Sequence, residues 1–219
     1  MDEATGIYDI YYLKEDAVKL LLAGLGQTQW YGLFDGAQAD SGIRTQANRI
    51  LAELYQSGVI DWDGDGAAVQ APYAQIFSAM LERKSCVTIQ SAVLQSPVRC
   101  CYLSAADVVI TQKSQREERT LGIALLSAQG FVSLLKEECK RLETGESCLL
   151  SCRSSQTGQA FSQLLISRNG LRAYQVQIKT ADGVKTCLRW MQEEFAARLA
   201  QLLYGQKRKT TMIQEGSSL

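Results

Sequence analysis

The sequence predicts an α+β fold, a central and mainly antiparallel β-sheet with flanking amphipathic helices, on three observations. Segments rich in β-branched residues follow one another through the middle and the C-terminal third, each bounded by turn signals. Five stretches carry apolar residues at helical spacing, which is how a helix shows one face to a core. A chain of 219 residues, 46% of them hydrophobic, is long enough to bury that core. Residues 1-205 read as one α+β domain, or as two packed subdomains of about 1-113 and 114-205, and 206-219 as a polar mobile tail.

The elements follow in order. GIYDIYYL (6-13) reads as a strand. Lys14, Glu15 and Asp16 open a helix whose Val18, Leu21, Leu22 and Leu25 share a face, and Gly26 ends it. After a Gly-rich connection around Phe34, Asp35 and Gly36, RTQANRILAELYQSG sets Ala47, Ile50, Leu51, Leu54 and Tyr55 on one stripe, with Thr45 near its start and Gly58 at C′. Pro72 suits a first helical position, and Tyr73, Ile76, Phe77, Met80 and Leu81 repeat the stripe behind it. Between these helices lie two short β-favouring segments, 59-62 and 68-70. Asp63-Gly64-Asp65-Gly66 supplies the turn of a small hairpin. The N-terminal part is therefore a winged-helix-like helix-hairpin-helix.

CVTIQSAVL (86-94), VRCCYL (98-103), DVVITQK (107-113) and TLGIALL (120-126) read as a run of antiparallel strands. A helix over about 128-143 follows, N-capped by Ser127, with Phe131, Leu134, Leu135 and Leu142 on one face. SCLLSC (147-152) resumes the strands. Asn169-Gly170 predicts a type I′ hairpin between QLLIS and LRAYQVQIK, and Asp182-Gly183 a second turn before VKTCLRW, so three strands meander. Phe195, Leu199, Leu202 and Leu203 stripe a last helix, stopped by Gly205.

The motifs exclude more function than they name. IDWDGDG (60-66) matches the first half of an EF-hand loop, but a loop starting at Asp61 needs a bidentate Glu at its twelfth position, where Pro72 stands. Asp61, Asp63 and Asp65 are read as turn formers with no metal. The same acidic tips would repel phosphate if the hairpin served as a DNA-reading wing. The 23 basic and 23 acidic residues cancel, which removes the field that would gather nucleic acid or anionic membrane. Lys207, Arg208 and Lys209 are a solubilising end of the tail.

There is no histidine, so the usual Ser-His and Cys-His mechanisms are unavailable. No phosphate-binding loop, dinucleotide fingerprint or nucleophile elbow occurs. The chain therefore reads as a non-enzymatic protein with no cofactor. Seven cysteines, an odd number without C-x-x-C spacing, read as reduced and mostly buried thiols. The acidic opening Met1-Asp2-Glu3 and the lack of any long apolar run suggest a soluble, cytoplasmic protein. A protein without catalytic machinery or net charge acts through shape and apolar contact. Trp30, Tyr31 and Phe34, three aromatics without periodicity, are the candidate partner-binding residues, set against a role in plugging space between helix and sheet.

In element order, and in the segments LAELYQSGVIDWDGDGAAVQAPYAQIFSAML (51-81) and LISRNGLRAYQVQIKTADGVKTCLRW (165-190), the chain resembles the EspG family, the bacterial cytosolic chaperones of type VII secretion. That resemblance implies a central antiparallel sheet, no cofactor, and a surface that grips the helical tip of a secretion substrate. Two other functions fit the same residues: a winged-helix regulatory or nucleic-acid-binding protein, and a structural interaction domain without a link to secretion.

Overall fold

A computed structural model describes residues 8-26, 31, 41-64, 66-93, 98-170 and 172-204; Trp30, Phe34, Asp65, Gly205 and the tail lie outside them. The fold is α+β. Among the described residues, β1 (Tyr11–Lys14) leads into α1 (Glu15–Gly24). Then come α2 (Ser41–Gln56), the hairpin of β2 (Ile60–Trp62) and β3 (Ala67–Val69), and α3 (Tyr73–Leu81). A first meander, β4 (Ser85–Ser91), β5 (Arg99–Leu103), β6 (Asp107–Lys113) and β7 (Thr120–Ser127), ends in α4 (Ala128–Lys140). A second, β8 (Ser147–Ser154), β9 (Ala160–Arg168), β10 (Ala173–Thr180) and β11 (Lys185–Met191), ends in α5 (Phe195–Tyr204).

Local chemistry accounts for the boundaries. Ser127 closes β7 and caps α4, its hydroxyl accepting the Gly130 N–H at 3.0 Å. At the other end of α4, Arg168 donates to the carbonyls of Lys140 (2.9 Å) and Leu142 (3.0 Å), which lack partners within the helix. α2 ends in a Schellman motif: Gly58, at φ +71°, donates to Tyr55 and Val59 donates to Leu54. Leu54 and Val59 are both buried in one cluster, the apolar contact that accompanies this turn. Asp63 accepts the Gly66 N–H and Asp61 the Trp62 N–H, so both carboxylates serve the hairpin backbone.

Several sequence expectations need correction. The first strand ends at Lys14 rather than 13, and α2 begins at Ser41, before Thr45. Leu25 and Tyr55 are exposed, not core. Leu25 lies past the end of α1, and the α2 seam runs through Ile43, Ile50 and Leu54, about 100° of helix away from Tyr55. The β9–β10 hairpin forms without the type I′ turn: Gly170 has positive φ but Asn169 does not, and Asn169 N–H reaches Ala173 across a longer connection.

Nine strands form one antiparallel sheet in the order β1-β7-β6-β5-β4-β8-β9-β10-β11. This order contains a repeat. Each meander is four strands followed by a helix, and the two are joined through their first strands, β4 against β8, around the Thr88–Ser151 pair. Equivalent positions face the same way: Val87 and Ile89 match Leu150 and Cys152, and Val108 and Ile110 match Val176 and Ile178. Phe131 and Leu135 of α4 match Phe195 and Leu199 of α5, all four fully buried. The units meet between Lys140 and Ser147, whereas residue 113 ends a strand inside the first unit.

Two cores result, one on each side of the sheet. α4 and α5 cover one face across both units, and Tyr174, Trp190 and Phe195 stack there with ring centroids 4.8 and 5.8 Å apart. On the opposite face, α1, α2 and α3 bury Cys86, Cys100, Tyr102, Val109, Leu121 and Ile123, all from the first unit or its edge. Burial of each large apolar side chain contributes about 1.5–3 kcal/mol. No helix of the described residues is long and apolar enough to cross a membrane.

Six cysteines are buried and Cys187, on β11, is exposed. Burial pushes the Cys86 thiol up to about 12, and a hydrogen bond from Cys139 to Cys148 together with burial raises Cys139. A native-state thiol assay is therefore expected to show one fast-reacting cysteine, abolished by Cys187→Ser. Fast labelling that survives this substitution would contradict the arrangement.

Candidate protein-binding surface

In a strand, alternate side chains face opposite sides, so a sheet layered on one side only alternates apolar with polar. β10 shows this plainly in AYQVQIKT: Tyr174, Val176 and Ile178 face α5, while Gln175, Gln177 and Lys179 are exposed on the other side. Register carries the pattern across the unit. Gln177 lies opposite Leu165 of β9 and Cys187 of β11, and Leu165 lies opposite Leu149 of β8. Among the described residues nothing layers this side of β8–β11, although the equivalent side of the first unit lies under three helices. Leu149 and Leu165 are only partly buried. Among the described residues the outer edge of β11 pairs with no strand, and Val184, Leu188 and Met191 stand 55%, 37% and 40% exposed at it.

Of the sequence candidates, Trp30 and Phe34 lie outside the described residues. Tyr31 is half-buried and its ring lies on the β8–β9 turn at Gly158, where a Cβ would come within 2.4 Å of ring carbons. That contact is with a turn rather than with a space between helix and sheet. Sequence reasoning passed over the uncovered half-sheet and the exposed Tyr12, Tyr55 and Trp62. The alternation of Gln and Lys with apolar residues in β10 was the signal for the former. Nothing in the periodicity marks the latter, since two of them sit on otherwise regular apolar stripes.

A second polar feature adjoins a pocket of about 40 Å³, room for a few waters, lined by Tyr8, Ile10, Arg99, Ile110, Gln112, Gly122 and Ala124. Arg99 donates through Nη1 to Glu138 of α4 and through Nε to Gln112 at 2.9 Å. The two side chains are only 13% and 8% exposed, and among the described residues Glu138 Oε2 has no hydrogen-bond partner. Burial pushes the Glu138 carboxyl up against the opposing pull of Arg99. The pair ties β5 to α4 and has no nucleophile within it. Among the described residues, no group of three or more Cys, Asp or Glu is placed to hold a metal ion.

Two stability outcomes follow. Gly158 has φ +67°, so Gly158→Ala should cost about 1–2 kcal/mol from backbone strain and more from the displaced ring. Removing the ring first with Tyr31→Ala should lower that cost in a thermal-melt cycle; an unchanged cost would mean the ring does not rest there. Arg99→Met should cost about 3–5 kcal/mol at neutral pH by stranding Glu138, and Arg99→Met/Glu138→Leu should recover most of it. Because the folded-state pKa of Glu138 is raised, the single-variant penalty should be absent below the ordinary carboxylate range and grow as pH rises through the folded value. A pH-independent penalty would contradict the charge argument. Compared with known proteins, the chain matches no family model and no curated sequence.

Proposed function

We propose that this chain is a non-enzymatic protein-binding module acting in the cytoplasm and, in line with its resemblance to the EspG family, a chaperone for a helical secretion substrate. One observation supports it most: among the described residues the second unit is layered on one side only and ends in a strand with no partner at its outer edge, flanked by exposed Val184, Leu188 and Met191. An edge strand offers main-chain donors and acceptors, and apolar groups beside it add area that only a partner can bury. The winged-helix alternative has less behind it. Arg49 on α2 is held by Glu53 and Gln46, and the hairpin carries Asp61 and Asp63 where phosphate would approach.

Affinity purification of the tagged full chain from its native host, with quantitative mass spectrometry, should recover one dominant client. Leu188→Lys with Met191→Lys should weaken that complex by roughly tenfold or more, with melting unchanged. Trp30→Ala with Phe34→Ala, assayed alongside, tests the loop aromatics in the same way. Recovery of no dominant client sinks the chaperone reading, and a folded edge variant that keeps its client sinks the edge as its site.

A further inference from the structure

We infer that the open face of β8–β11 docks an acidic polypeptide. The inference rests on the protein-binding reading and assigns the partner its charge. None of the four strands contains an aspartate or glutamate, in a chain that carries 23 of them against 23 basic residues. By strand alternation, Arg153, Lys179, Lys185 and Arg189 all project from the open face, and all four are exposed. Among the described residues none of the four makes a salt bridge, whereas some cations elsewhere do, Arg119 with Asp16 and Lys14 with Glu117 among them. The global balance of charge therefore hides a local one.

The register sharpens the point. Lys179 of β10 lies directly opposite Lys185 of β11. Like charges directly opposed across an antiparallel pair are destabilising; among the described residues neither lysine makes a salt bridge, and the carboxylate of the intervening turn, Asp182, accepts from the Thr180 hydroxyl. A bound carboxylate between the two ammonium groups would relieve the repulsion. Around them, Gln163, Gln175 and Gln177 offer amides that can donate to side-chain or backbone oxygens.

The first unit shows what kind of occupant such a face accepts. There the equivalent side is covered by a polypeptide layer, α1 to α3, seated on Cys86, Tyr102 and Val109. In the repeat those positions become Leu149, Leu165 and Gln177, so an apolar strip on β8 and β9 gives way to amides and cations on β10 and β11. Single-stranded nucleic acid is the other polyanion to weigh. Sheets that bind it stack bases on aromatic side chains, and no open-face position named here is aromatic, the rings of Tyr174 and Trp190 being buried against α5.

The test uses the full chain and fluorescein-labelled poly-L-glutamate, read by anisotropy. Saturable binding is expected, weakening as salt is raised. Lys179→Glu/Lys185→Glu/Arg189→Glu should weaken it roughly tenfold or more, and the neutral Lys179→Gln/Lys185→Gln/Arg189→Gln by less. Arg44→Glu, at an exposed position of α2, should leave it unchanged. Lys179→Glu alone puts opposite charges across the β10–β11 pair, so it should hold or raise the melting temperature while weakening binding, a combination that a purely structural role for Lys179 would not produce. No binding by the wild-type chain, binding indifferent to the charge reversals, or labelled oligo-dT bound as tightly as poly-glutamate would each overturn the proposal. A native client retained in full by the reversal variant would sink this surface and leave the protein-binding reading standing. Poly-glutamate bound here with no client recovered would do the reverse.

Discussion

The antiparallel join of β4 to β8 governs the rest of the architecture. It runs through seven residue pairs, from Ser85 opposite Ser154 to Ser91 opposite Cys148, and it relates two meanders by a two-fold rotation perpendicular to the sheet. Such a rotation keeps faces as they are, so α4 and α5 must fall on the same side and pack against each other over one continuous core. Among the described residues the opposite side has no such symmetry. The N-terminal elements are long enough to cover one unit, and they cover the first. Everything distinctive about the second unit follows from that unequal cover.

Unequal cover is also what separated the legible parts of the fold from the rest. RCCYL, DVVITQK and TLGIALLS are nearly continuous apolar runs, as strands buried on both sides must be, and AYQVQIKT alternates, as a strand buried on one side must. Local signals placed the helices and strands to within a few residues because Ser127, Gly58 and the Asp182–Gly183 turn act through bonds spanning a handful of residues. Strand order and the repeat were not legible in this way. They depend on β1 finding β7 and β4 finding β8, and nothing in the residues near either strand states its partner.

The candidate site was legible only in part. Tyr31, chosen as one of three clustered aromatics, sits on a glycine turn of the second unit, a contact that links two places far apart in sequence and leaves no periodic trace. The uncovered face was missed because its residues are individually ordinary. Glutamines and lysines on a strand read as solvent-facing, and only the register that sets Lys179 against Lys185 reveals that their charges accumulate. The buried Arg99–Glu138 pair was missed for the opposite reason: each residue looks like surface in the sequence, and only the closure of α4 over β5 encloses them.

The same join has a consequence for how the chain finds its fold. Within each meander, strands pair with their sequence neighbours, and closing such loops costs little entropy. β4 and β8, by contrast, are separated by the whole first meander and its helix, and β1 and β7 by most of the N-terminal half. Among the described residues the non-local strand pairings are thus two closures. Topologies of this kind fold more slowly than their local turns would allow, because the entropy of long loops must be spent before the distant pairs return any stabilisation.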